Sequence, residues 1–156
     1  MTVTVNEVVA GQAVSDHVAV TGAAVMSTGL IIFNVAGDVQ ILSLVSECYS
    51  ANNATATLVA YSAVSPSGTT ALSSNTTSLA NVAAGYAFIM TNGAALGEAP
   101  AQGASGVLIN TASRGVRIPG GTTIKLTVTT GPTTGTWKHY VRWEPLEAGA
   151  YITPAF

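Results

Sequence analysis

Ser15-Asp16-His17 brings together the residue types of a hydrolytic triad. In an extended chain, neighbours point to opposite sides, so three consecutive residues cannot form the relay that chemistry needs. The segment is read as a polar turn. His139 is the other histidine, and it shares one side of an alternating stretch with Trp137, Val141 and Trp143. A histidine so placed is expected in the core, satisfied by a hydroxyl or a carbonyl. A metal site would need further ligands at short spacing, and neither HxH nor HExxH occurs. Cys48 needs a histidine or a second thiol beside it to act as a nucleophile. It alternates with Leu44 and Leu42, so packing is its expected role. Asp38 and Glu47 would serve glycoside hydrolysis only across a cleft, normally with aromatic sugar platforms, and aromatics make up 6% of the chain. Gly120-Gly121-Thr122-Thr123 has no Lys-Ser/Thr after it and opens no helix, so it is not a phosphate loop. No catalytic residue, cofactor or metal is expected, and the chain is read as a non-enzyme.

The elements around these residues are strands. Ile124, Leu126 and Val128 face one way and Lys125, Thr127 and Thr129 the other. Trp137 to Glu144 alternates in the same manner. Gly131 to Gly135 between them is expected to close a hairpin. Further strands are expected at Gly29–Ala36, Val39–Tyr49, Thr55–Tyr61, Tyr86–Thr91 and Gly106–Asn110. Val14–Thr21 is a strand or an extended arm, Thr77–Ala84 at most a short turn, and Asn92–Ser105 a long loop. Short strands at about 8–12-residue spacing, bounded by Gly, Pro and Asn, predict an all-β antiparallel sandwich of jelly-roll type. The expected organisation is an N-terminal arm or edge strand over 1–24 and one sandwich domain over 25–156.

Composition narrows the function. Charged residues make up 8% of the 156, against roughly 25% in an ordinary soluble domain. Thr (21) and Ser (13) must supply most of the polar cover. Small uncharged side chains lose little entropy or solvation against another protein, which suits an assembly subunit. The five bases all lie beyond residue 113, giving +3 for 114–156 and −5 for 1–113. Such segregation can steer subunits into register. Five cations and a pI near 5.5 argue against nucleic acid, whose binding is driven by phosphate neutralisation. Mean hydropathy is +0.46, yet no apolar run reaches the roughly 18 residues of a membrane helix. No basic segment precedes an apolar stretch near Met1, so no secretory signal is expected. The single cysteine excludes an internal disulfide.

Two segments of the last third carry a resemblance. They are Ile118-Pro119-Gly120-Gly121-Thr122-Thr123-Ile124-Lys125-Leu126-Thr127-Val128, and Val141-Arg142-Trp143-Glu144-Pro145-Leu146-Glu147-Ala148-Gly149-Ala150. With Gly37-Asp38-Val39 upstream, they resemble the small β-rich capsid decoration (cement) proteins of tailed bacteriophages. The likeness implies a homotrimer on the outer surface of the head, assembled in the host cytoplasm, that clamps neighbouring major capsid protein subunits. It transfers no catalytic residue. The surface expected to contact capsid or neighbouring subunits is the arm (Val3, Val5, Val8, Val9) with Arg114, Arg117 and Arg142. The rival expectation is a tail-fibre or spike module that binds a host-surface glycan.

Overall fold

The computed structural model describes residues 17–73, 75–91, 115–129 and 134–156. These form two antiparallel sheets and, among the described residues, no helix. Sheet A holds β1 (His17–Val20), β2 (Ala24–Val25), β4 (Val39–Cys48), β7 (Ala87–Thr91), β8 (Val116–Ile118) and β10 (Thr136–Pro145). Sheet B holds β3 (Ile31–Ala36), β5 (Leu58–Ser65), β6 (Gly68–Ala71), β9 (Thr123–Thr129) and β11 (Tyr151–Pro154). The order in sheet A is β1-β10-β4-β7, with β2 beside β10 and β8 beside β4. Sheet B runs β11-β3-β9-β5-β6. Apart from the β5–β6 hairpin, the longer strands alternate between sheets, so the chain winds around its core as a jelly roll.

Alternation explains which side chains fill that core. On β10, Trp137, His139, Val141 and Trp143 are buried, as their period of two requires. On β9, Ile124 and Leu126 are buried and Thr127 and Thr129 exposed. Phe88 lies between the sheets, its ring 5.8 Å from Tyr61 and 5.5 Å from Trp137. Such tilted aromatic contacts add to the area they remove from water.

Two bulges break the simple pattern. On β4 the register shifts so that Leu42 has no opposite residue, which turns Ile41 and Val39 inward. Leu42 is therefore half-buried, and the expected inward run of Cys48, Leu44 and Leu42 stops at Leu44. On β3 a similar shift lets the adjacent Ile32 and Phe33 both reach the core.

The expected hairpin between the Ile124 and Trp137 strands is corrected. β9 belongs to sheet B and β10 to sheet A, so the connection crosses from one sheet to the other. A tight hairpin does occur at Pro66-Ser67, where Ser65 pairs with Gly68. Thr77–Ala84 forms no helix; Leu79 and Val82 are buried there, and the Leu79 N–H bonds the Thr57 carbonyl at 2.9 Å. From His17 onward the expected arm is an edge strand of sheet A. The strand expected at Gly106–Asn110, the loop Asn92–Ser105 and the arm before His17 lie outside the described residues.

Candidate functional site

Three places could carry function: a polar cluster in the core, a corner of converging turns, and the outer face of sheet A.

In the core, Ser46 on β4 stands opposite His139 on β10, and its Oγ lies 2.7 Å from His139 Nδ1. Tyr61 reaches in from β5 of the other sheet, with its hydroxyl 2.6 Å from the same Oγ. A chain running from the Tyr61 hydroxyl to Ser46 and on to Nδ1 gives each hydroxyl proton an acceptor and leaves the imidazole proton on Nε2. That Nε2 has no hydrogen-bond partner among the described residues. Thr21 clamps the strand from the edge: the His139 N–H donates to Thr21 Oγ1 at 3.0 Å, and the Thr21 N–H to the His139 carbonyl at 2.9 Å. Burial pushes the His139 pKa down to about 4 and raises that of Tyr61. A serine beside a neutral histidine has the parts of a nucleophile and its base. Here, however, Ser46 and His139 have no exposed surface and Tyr61 is 1% exposed. The cluster therefore joins the sheets.

Cys48 is buried as expected. Its thiol donates to the Ser50 carbonyl at 3.1 Å, and burial raises its pKa. Asp16 and Ser15 lie outside the described residues, whereas His17 stacks on Trp143 with ring centroids 4.6 Å apart. Glu47 and Asp38 do not form a carboxylate pair. Glu47 accepts from the Tyr140 hydroxyl at 2.9 Å on the outer face of sheet A, and Asp38 sits in a turn at one end. Among the described residues, no group of three or more His, Cys, Asp or Glu side chains is arranged to hold a metal ion. No helix among them is long and apolar enough to cross a membrane.

The turn corner is built around Asp38. Its carboxylate accepts from the Arg117 guanidinium, with Nε at 3.1 Å, and from the Gly120 N–H at 3.2 Å. These bonds hold the Asp38 pKa below its ordinary value, Arg117 contributing most. The Asp38 N–H donates to Glu147, and its carbonyl accepts from the Leu146 N–H, both at 2.9 Å. Gly37 adopts a φ of +71°, and a Cβ there would lie 2.8 Å from the Ala150 Cα. A Cβ on Gly120 would lie 2.7 Å from the Gly37 nitrogen. The turns at Gly37-Asp38, at Gly120 and at Leu146 to Ala150 thus meet in one packed corner.

The outer face of sheet A carries exposed apolar side chains among charged ones. Val20, Tyr140, Val45 and Ile89 stand in one row across four strands. Val18 and Val25 extend the apolar area, and both are exposed. A shallow groove of about 370 Å³ is lined by Val18, Ser43, Val45, Glu47, Tyr140 and Arg142, with Val141 beneath. Lys138 lies 4.5 Å over the Tyr49 ring. Of the five bases, Arg117, Lys138 and Arg142 share this face with Glu47 and Glu144, so the charges are interleaved there. Lys125 is on sheet B.

Of the expected contact residues, Arg117 and Arg142 thus share one exposed face. Val3, Val5, Val8, Val9 and Arg114 lie outside the described residues. Sequence reading missed Ser46, Tyr61 and Val20; alternation around Ser46 and Val20 was the signal that could have placed them.

Fold and surface together define a jelly-roll β-sandwich with a closed core and one sheet face on which exposed valines stand among interleaved charges. No protein-family model matches the chain, and no curated protein matches it. A chain in the structure of infectious bursal disease virus Gx strain is similar at 12% identity and a TM-score of 0.27. The match covers 88% of this chain and 38% of that one, so the present chain spans well under half of its length.

Proposed function

We propose that this chain is a structural protein of a virus particle: a decoration (cement) protein that binds the outer surface of a phage head and stabilises contacts between major capsid protein subunits. The observation that carries this reading is the outer face of sheet A, which presents Val18, Val20, Val45 and Tyr140. A row of exposed apolar side chains flanked by interleaved charges suits a surface that binds protein. The reactive side chains Ser46, Cys48 and His139 are sealed in the core, which fits a non-catalytic role. On this reading the protein is a homotrimer on the virion exterior, needs no cofactor, and contacts capsid through Arg114, Arg117 and Arg142.

A tail-fibre or spike module that binds a host glycan is the second reading. Tyr49, 62% exposed with Lys138 over its ring, is the feature that favours it. Purified chain added to heads stripped of it separates the two. Saturable rebinding to heads, with raised resistance of the particles to heat, supports decoration. Retention on a host glycan with no affinity for heads supports the fibre module.

A further inference from the structure

We propose that β6, the edge strand of sheet B, pairs antiparallel with β6 of a second copy of this chain about a two-fold axis at Thr70. The inference rests on the reading of the chain as a subunit that coats one surface, and it names the contact between neighbouring copies.

The edge is open and neutral. β6 is the last strand of its sheet, paired among the described residues with β5 alone, and Gly68, Thr69, Thr70 and Ala71 are all exposed. The Val59 and Tyr61 carbonyls accept from the Thr76 and Leu72 N–H groups at 2.8 and 2.9 Å, so odd-numbered residues of β5 turn their backbone groups toward this side. Gly68 and Thr70, opposite Ser65 and Ala63, therefore spend theirs on β5. The N–H and C=O groups of Thr69 and Ala71 point outward. Proline, charge and a bulge are common means of blunting such an edge, and apart from its shortness β6 has none. The opposite edge of the sheet is closed. On β11, Pro154 lacks an N–H, and just beyond it the Phe156 carbonyl accepts from the Gly22 N–H at 2.9 Å.

Symmetry and direction favour a second copy as the occupant. The outward groups lie evenly on either side of Thr70, so Thr69 of each copy meets Ala71 of the other in a hydrogen-bonded pair. Between these pairs, Thr70 faces Thr70. The strand carries no charge, so a like copy meets no repulsion, and facing threonines are a favourable cross-strand pair. The axis of this pairing runs normal to the sheet, because side chains of paired residues share one side. Both copies therefore keep sheet A on the same side. The outer faces bearing Val18, Val20, Val45 and Tyr140 then point at one common surface, as coating a particle requires.

The test uses the full chain without capsids, so it can fail independently of the decoration reading. Thr70→Cys adds an exposed thiol to a chain whose own Cys48 is buried. Two-fold pairing sets the two Cα atoms about 4.5 Å apart, within reach of a disulfide. Mild oxidation should give a dimer joined at position 70, at least tenfold faster than Thr69→Cys or Ala71→Cys alone. Ala71→Pro deletes an outward N–H and no bond to β5. Added to Thr70→Cys, it should slow dimer formation at least tenfold while circular dichroism stays unchanged. Equal rates at the three positions mean chance collision and overturn the pairing, as does a proline variant that crosslinks undiminished. A Thr70→Cys chain that stays monomeric overturns it too, the edge then being covered by another segment of its own chain or left to a capsid strand.

Discussion

Ser46 Oγ lies 2.7 Å from His139 Nδ1, and this hydrogen bond joins the two central strands of sheet A at the point where the residues stand opposite each other. Tyr61 adds a bond from sheet B to the same oxygen. One hydroxyl thus serves both partners, and the consequences of removing it differ from those of removing either neighbour.

Ser46→Ala leaves the Tyr61 hydroxyl and His139 Nδ1 both buried without their shared partner. At about 1–3 kcal/mol for each such group, a loss of roughly 2–6 kcal/mol is expected. Tyr61→Phe leaves the Ser46–His139 bond in place and should cost only about 1 kcal/mol. Urea denaturation of both variants and of the double variant checks this. The double variant should fall short of the sum of the singles, because the groups act as one network.

His139 makes folding pH-dependent. Burial lowers its pKa from 6.5 to about 4, so the folded state keeps it neutral while the unfolded state takes up a proton below about 6.5. Stability from this group is complete above 6.5 and is lost as pH falls toward 4, by about 3 kcal/mol in total. Denaturation curves at pH 7, 5.5 and 4 should show the decline. His139→Asn should remove its slope in that window while lowering stability at pH 7.

Glycine substitutions in the turn corner should separate by contact. Gly121→Ala meets nothing within 4 Å and bears only the strain of a φ of +76°, about 1 kcal/mol. Gly37→Ala adds a Cβ 2.8 Å from the Ala150 Cα to a φ of +71°, and should cost roughly 3 kcal/mol or more. Thermal unfolding of the two variants orders them. Equal losses would mean that the three turns do not bear on one another.

Much of the fold was legible because alternation survives without context. Trp137 to Glu144 and Ile124 to Thr129 declare their inner faces residue by residue, and both lie as expected. The strands that escaped notice, β2, β6, β8 and β11, run for two to four residues, too short for a period to show. The hairpin expected between β9 and β10 failed because Gly and Pro mark a change of direction without saying which sheet the chain enters next. The Ser46–Tyr61–His139 cluster was half legible. His139 was expected to find a hydroxyl, but its partners come from two other strands in two sheets, a juxtaposition only the topology supplies.

Attachment should depend on Arg142. Arg142→Glu changes one exposed side chain on the outer face of sheet A, away from the Asp38 corner, and is expected to keep the circular dichroism of the parent. Its affinity for stripped heads should fall at least tenfold, with a weaker salt dependence than the parent shows. Cosedimentation with heads at two salt concentrations measures both.

The central claim is that this chain coats a capsid, and its copy number in purified particles tests that most directly. Quantitative mass spectrometry against the major capsid protein should find hundreds of copies per particle, in a fixed ratio to that protein. A handful of copies, or none, would contradict the account.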